Sequence, residues 1–234
     1  MAGDGKLPFD PRVPLLLLLS FTTGLVDAAS VLGLGKVFTA NMTGNVVFLG
    51  FAAAGTPGFK VAPYLVAIAS FMVGALIAGR AGKAHIGASE RRWLVTSAIV
   101  ETALLGVAAI AALGFDVATQ APETRLYAII ALTGIAMGYR NATIRQLKVT
   151  DLTTTVLTLT LTGLSADSSA AGGGNTNWRR RIGAVVAIFA GAAVGALLLL
   201  HTGLAVPLAL AGALVLGGTI ACALHPGSAR IAGS

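Results

Sequence analysis

The chain has 234 residues, of which 56% are hydrophobic and 11% are charged, and its mean hydropathy is +0.85. Soluble domains are about 45–50% apolar and roughly a quarter charged, so too few charges are present here to cover a soluble globule. A single cysteine, Cys222, excludes an internal disulfide and with it a disulfide scaffold. The composition therefore predicts an integral membrane protein.

Six apolar segments are long enough to cross a membrane as helices. No Asp, Glu, Lys or Arg occurs between Arg181 and Arg230, and a spanning helix needs about 20 apolar residues, so this stretch holds two spans. The apolar runs lack the alternation of polar and apolar residues that is typical of β-barrel strands. The six predicted spans are 14–34, 61–79, 93–113, 126–145, 182–200 and 205–224.

Two further segments, 38–55 and 151–163, are apolar but short. Each begins with polar residues and keeps only about ten strongly apolar positions, and apolar stretches of about 10–14 residues are more often re-entrant or interfacial than spanning. If both segments crossed the membrane, the chain would have eight spans. If both segments enter the membrane and return to the same side, the chain has six spans.

The distribution of positive charge favours six spans. Lys and Arg collect in short cytoplasmic loops. Six spans place 12 of these residues inside and 3 outside, with Arg140 near the membrane boundary, whereas eight spans give 8 and 7. We therefore predict an all-α membrane protein with six spanning and two re-entrant helices. It would consist of a disordered cytoplasmic tail (1–13), one transmembrane domain (14–224) and a second cytoplasmic tail (225–234).

The two halves of the domain, 14–113 and 126–224, share short motifs in the same order. TGLVDA at 23–28 resembles MGYRNA at 137–142, NMTGNV at 41–46 resembles DLTTTV at 151–156, and VGAL occurs at 73–76 and 194–197. The composition alone could produce such matches, but their order favours a duplication. Three crossings per half would invert the second half, so that the two re-entrant segments enter from opposite faces and approach each other near the midplane.

Two longer stretches resemble one known family. They are TGLVDAASVLGLGKVFTANMTGNVVFLG and RNATIRQLKVTDLTTTVLTLTLTGLSAD, and the similarity extends over about residues 14–224. Both resemble the YoaK family of bacterial membrane proteins. The resemblance implies a polytopic protein of the bacterial inner membrane and supplies no catalytic residues.

Ionisable residues inside the predicted spans are the first candidates for function. Asp27 lies about 20 Å along the first span, and Glu101 lies within the third. A charged group at such depth is costly unless it is paired or hydrated, and it indicates a functional site or a structural ion pair. Arg140 could neutralise either carboxylate. Asn141, at the position equivalent to Asp27, would give the two halves one ionisable and one neutral group, which suits a proton or cation site.

Polar residues at the openings of the short segments form the second group of candidates. Asn, Asp and Thr favour helix N-caps, and helix N-termini inside a membrane can also bind a polar or anionic solute. The threonines of the second segment recur at a spacing of four residues on one helix face. The candidate pathway residues of the short segments are Asn41, Thr43, Asn45, Asp151, Thr154, Thr158 and Thr162.

The sequence favours transport over catalysis. It contains no metal-ligand spacing, nucleophile elbow or phosphate-binding loop, so we expect no enzyme, no metal and no cofactor. The net charge of +7 follows from the inside location of the basic residues and does not indicate nucleic acid binding. The predicted partners are the lipid bilayer, a small solute or ion, and a second copy if the GxxxG at 191–195 packs between protomers. The alternative is a non-transporting accessory or lipid-interacting protein, in which the polar residues only hold helices together.

Overall fold

The computed structural model describes residues 10–84, 90–147 and 157–225. In this part of the chain there are eight α-helices, one 3₁₀ turn and no β-strand, which confirms the all-α fold. The helices are α1 (Arg12–Gly33), α2 (Met42–Ala53), α3 (Val61–Ala84), α4 (Glu90–Ala111), α5 (Glu123–Leu147), α6 (Leu157–Ala166), α7 (Trp178–Thr202) and α8 (Ala205–Leu224).

Helix length separates the spanning from the short elements. Helices α1, α3, α4, α7 and α8 are long and apolar enough to cross a membrane. Helix α5 has 25 residues, but Arg140 and Asn141 lower its hydropathy. Helix α2 and the described part of α6 have 12 and 10 residues, which corresponds to about 18 Å and 15 Å and is shorter than a hydrocarbon core of about 30 Å.

Helix α1 runs antiparallel to α5, which indicates that α2 does not cross. Gly35, just after α1, lies against Gln120, just before α5, whereas Leu15 near the start of α1 shares a buried cluster with Ile144 near the end of α5. Since α3 and α4 both span, a crossing by α2 would make α1 and α5 parallel. The packing therefore favours the predicted six spans over the alternative of eight.

Helix α7 runs parallel to α1, and this orientation indicates on which side of the bundle α6 lies. Gly183 lies against Leu17. Closer to the C-terminal ends of both helices, Gly195 lies against Leu25. Because α5 is antiparallel to α1, it is also antiparallel to α7, so α7 begins on the side of the bundle on which α5 ends. Helices α2 and α6 thus follow the ends of two antiparallel helices, α1 and α5, on opposite sides of the bundle.

Glycines bring two helix pairs into backbone contact in the same way. In the α1–α7 pair, a Cβ atom on Gly24 would overlap the carbonyl oxygen of Ile188. In the α3–α5 pair, a Cβ on Gly138 would overlap the carbonyl oxygen of Phe71. Small residues permit this close approach of helices in lipid. The contact between Gly24 and α7 thus has a counterpart at Gly138, the residue with which the sequence comparison aligns it.

A second pair of glycine contacts differs by one helix turn from the alignment that the VGAL motif gives. Gly191 faces the carbonyl oxygen of Phe21 on α1, and Gly74 faces the carbonyl oxygen of Ile135 on α5. These contacts therefore pair Gly74 with Gly191. The shared VGAL motif instead aligns Gly74 with Gly195, which lies one helix turn later on α7. The GxxxG at 191–195 packs against α1 of the same chain.

The first helix begins earlier than the sequence suggested. The predicted disordered tail extends to residue 13, but α1 begins at Arg12. Asp10 accepts a hydrogen bond from the backbone N–H of Arg12 at 2.9 Å and also bonds its guanidinium, which fixes the first turn. Of the two predicted tails, residues 1–9 and 226–234 lie outside the described residues.

Candidate functional site

Asp27 lies in α1, six residues before the helix ends, and its carboxylate binds the backbone that leads into α2. Its Oδ1 accepts hydrogen bonds from the backbone N–H groups of Thr39 at 3.2 Å and Ala40 at 2.9 Å. These N–H groups belong to the segment just before the first turn of α2. A carboxylate from one helix thus stabilises the positive N-terminal end of another.

The predicted N-cap role of Asn41 is wrong. Asn41 occupies the N-cap position of α2, but its side chain makes no capping hydrogen bond and is exposed. The carboxylate of Asp27 instead accepts hydrogen bonds from the amides of Thr39 and Ala40, which precede α2. Asn45 has a different role: it is fully buried, accepts a hydrogen bond from the N–H of Phe38 at 2.9 Å and donates one to its carbonyl oxygen at 2.6 Å. Asn45 therefore fixes the loop that returns from α1 to α2.

A cavity of about 320 Å³ lies beside Asp27. Its wall is formed by α1, by the loop before α2, by α7 and by the first described residue of α6. Apolar side chains make up most of this wall, and Asp27 is the sole ionisable group among the described residues that line it. The lining residues are Thr23, Gly24, Asp27, Ala28, Val31, Leu32, Phe38, Ala40, Asn41, Leu157, Ile188 and Ala192.

The two short helices approach each other at this cavity. Asn41 immediately precedes α2, and Leu157 is the first described residue of α6. Both residues line the cavity, although α2 follows α1 and α6 follows the antiparallel α5. The beginning of α2 and the first described part of α6 therefore both border the cavity beside Asp27.

Glu101 and Arg140 form a separate, buried ion pair. Arg140 is 2% exposed and Glu101 is 4% exposed. Nε of Arg140 donates to Oε1 of Glu101 at 2.6 Å, and Nη2 donates to the same oxygen. Nη1 donates to the carbonyl oxygen of Leu19 at 3.2 Å and to Oγ1 of Thr23 at 3.0 Å. One guanidinium thus connects α5 with α4 and α1.

The ionisable candidates therefore divide between two places. Asp27 faces a cavity, whereas Glu101 and Arg140 bond to each other within the helix bundle. Of the two carboxylates that Arg140 could neutralise, the structure pairs it with Glu101. Asn141 donates from Nδ2 to the carbonyl oxygen of Met137 at 2.9 Å and is not among the residues that line the Asp27 cavity.

Several predicted pathway residues lie away from the cavity. Thr158 and Thr162 are exposed on α6, and Thr160 is the buried threonine of this helix. The helical spacing correctly places Thr158 and Thr162 on one face, but that face points away from the neighbouring helices. Thr43 is also exposed. The predicted residues Asp151 and Thr154 lie outside the described residues.

The sequence reasoning missed most of the apolar cavity wall. Thr23 and Val31 lie one turn before and after Asp27 on α1, so helical periodicity around Asp27 could have identified them. Ile188 and Ala192 also lie one turn apart, on α7. No local pattern indicates that this face of α7 lies opposite Asp27, because the contact depends on the packing of two distant helices.

Comparison with known proteins agrees with this architecture. Residues 15–221 match the model of a family described as a protein of unknown function, DUF1275. The chain belongs to this family. It is also 36% identical over 161 residues to the UPF0700 transmembrane protein YoaK of Bacillus subtilis (strain 168), and the match covers 68% of each chain. The predicted resemblance and the multi-pass membrane character are thus confirmed. No solved structure matches the chain.

Proposed function

We propose that this protein is a small transporter or channel that moves a solute or ion across the bacterial inner membrane, with both termini in the cytoplasm. The observation that carries the proposal is the Asp27 carboxylate in a cavity that the beginning of α2 and the first described part of α6 both border. Irregular backbone at membrane depth is tolerated where it is buried in protein or lines a wet cavity. The loop before α2 meets this condition.

Features that an inverted repeat would produce support the proposal. The glycine contacts of the α1–α7 pair recur in the α3–α5 pair, and α1 and α5 are antiparallel. Many secondary transporters combine inverted repeats with discontinuous helices that meet near the midplane. In this arrangement Asp27 corresponds to Asn141, so one half supplies a charge where the other supplies a neutral hydrogen-bonding group. Such asymmetry suits a cation or proton pathway.

A second candidate is a non-transporting membrane component. The Glu101–Arg140 pair favours it, since these two residues hold α1, α4 and α5 together and border only a small cavity of about 20 Å³. This candidate gives no reason for an acidic cavity at the meeting point of the short helices. We therefore propose transport as the function, with the ion pair as a structural element, and we propose no catalytic activity.

Replacing Asp27 with asparagine tests the proposal in proteoliposomes. Asparagine keeps an oxygen that can accept the N–H groups of Thr39 and Ala40, so we expect the variant to fold, but it cannot carry the charge. Uptake from a panel of cations, amines and pH-coupled solutes should fall by about tenfold or more, since each 1.4 kcal/mol of lost interaction is a factor of ten in affinity. Asp116→Asn, in the exposed loop between α4 and α5, is the matched control and should transport normally.

Asp27→Ala separates folding from transport. Alanine leaves both amides without their acceptor, so the free energy of unfolding should fall by about 1–3 kcal/mol. Wild-type uptake of at least one solute, its loss in Asp27→Asn and an unchanged melting temperature of that variant would support the proposal. Uptake that is the same in the wild type, in Asp27→Asn and in empty liposomes would contradict it.

A further inference from the structure

We infer that the Asp27 cavity binds a monovalent organic cation with apolar substituents, such as a substituted ammonium. This inference rests on the proposed function and names the class of solute. It is carried by three features of the cavity: its size, its apolar wall and its single carboxylate.

The size and the wall fit an organic molecule. Sites for small molecules usually have volumes of about 300–1,000 Å³ and are mostly apolar with a few polar groups. The cavity has about 320 Å³, and Val31, Leu32, Leu157 and Ile188 contribute branched aliphatic side chains to it. A strongly hydrated solute would gain little from such a wall, whereas alkyl or aryl groups would be removed from water.

The charge of the cavity selects a cation. An anion would have to compete with Asp27 for the amides at the start of α2, because the N–H groups of Thr39 and Ala40 already donate to its Oδ1. The guanidinium of Arg140 is engaged by Glu101, Leu19 and Thr23. The described lining therefore presents one carboxylate and no cationic side chain.

A bare metal ion fits the described lining poorly. Ca²⁺ takes 6–8 oxygen ligands and Mg²⁺ requires six in nearly ideal geometry. Besides Asp27, the side-chain oxygens in the described wall are those of Asn41 and Thr23, and Thr23 already donates to the carbonyl oxygen of Leu19. Nowhere in the described ranges do three His, Cys, Asp or Glu side chains lie together as a metal site. A substituted ammonium, in contrast, needs one counter-charge and an apolar surface.

Phe38 adds a second feature that favours a cation. Phe38 belongs to the cavity wall, and its ring stacks on Phe48, with the ring centroids 6.0 Å apart. Aromatic rings attract organic cations, and quaternary ammonium ligands are commonly bound in this way. Asp27 and Phe38 therefore bring a negative charge and an aromatic residue to the same cavity.

Binding of benzyltrimethylammonium to the purified full-length protein in detergent tests the inference. Its affinity can be measured by equilibrium dialysis with radiolabelled ligand, beside benzenesulfonate as the anionic probe and Na⁺ as a competitor. We expect saturable binding of the cation, no binding of the anion and no competition by Na⁺. Asp27→Asn should weaken binding by about tenfold or more, and Phe38→Leu by about threefold or more. Phe189→Leu, on the outer face of α7, is the matched control and should bind as the wild type does.

The outcomes distinguish this inference from the proposed function. Saturable binding that requires Asp27, without flux of any solute in liposomes, would support the cation site and contradict transport. Uptake of an anion, a sugar or a metal ion that requires Asp27, without binding of benzyltrimethylammonium, would support transport and overturn the cation site. Equal binding by the wild type and Asp27→Asn would also overturn it, since the ligand would then occupy detergent or another surface.

Discussion

Replacing Glu101 with glutamine is expected to lower the free energy of unfolding by about 3–5 kcal/mol, because it leaves the Arg140 guanidinium buried without its counter-charge. Arg140 is 2% exposed, and its remaining acceptors are the carbonyl oxygen of Leu19 and the hydroxyl of Thr23. Neither carries a charge. Unfolding of the purified variant in mixed micelles with an increasing fraction of SDS measures the loss.

A double-mutant cycle isolates the ion pair. Replacing both partners, as in Glu101→Gln with Arg140→Gln, removes both buried charges, so its destabilisation should be clearly smaller than the sum of the two single effects. Glu123→Gln is the matched control, since Glu123 is exposed at the start of α5 and its replacement should change stability by no more than about 0.5 kcal/mol. If Glu101→Gln were as stable as Glu123→Gln, the pair would not hold the bundle together.

Alanine at Gly24 or Gly138 is expected to destabilise the protein by about 1–3 kcal/mol or more. A methyl group at either position overlaps a backbone carbonyl oxygen of the neighbouring helix, on Ile188 and Phe71 respectively. Neither oxygen can move without displacing its helix. Because the two contacts are equivalent, their losses should be similar, and thermal unfolding in detergent compares them directly.

Glycines with open space around them provide a control in which alanine is not expected to lower the stability. Gly106 on α4 and Gly217 on α8 have no atom within 4 Å of an added Cβ. Alanine has the higher helix propensity, by about 1 kcal/mol, so Gly106→Ala and Gly217→Ala should leave stability unchanged or raise it. A loss at these positions as large as that at Gly24 would show that helix packing is not the cause.

The overall architecture was predictable because it depends on local composition. Apolar length and the side preference of Lys and Arg gave the six spans and the short segments without reference to packing. Asp27 could be identified as a candidate because a carboxylate deep in an apolar helix is costly wherever it lies. Its ligands could not be predicted, because the amides of Thr39 and Ala40 reach it only after the chain has turned back into the bundle.

The wrong and the undecided predictions concern interactions between distant segments. Asn41 has the sequence features of an N-cap, but its side chain makes no capping hydrogen bond, and the amides just before α2 donate to Asp27 of another helix. Arg140 could have paired with Asp27 or with Glu101, and only the antiparallel packing of α4 on α5 brings the latter within 2.6 Å. Thr158 and Thr162 share a face as predicted, but which face of α6 packs on α7 depends on the whole fold.

Labelling of single cysteines in intact cells tests most directly whether the two short helices enter the membrane from opposite faces. In a Cys222→Ser background, Lys60→Cys reports the side of the loop after α2, and Arg180→Cys reports the side on which α7 begins. Arg91→Cys and Ala118→Cys mark the two ends of α4. A membrane-impermeant maleimide should label Lys60→Cys and Ala118→Cys but not Arg91→Cys or Arg180→Cys. Protection of Lys60→Cys together with labelling of Arg91→Cys would mean that α2 crosses the membrane, and it would contradict both the inverted repeat and the meeting of the short helices at Asp27.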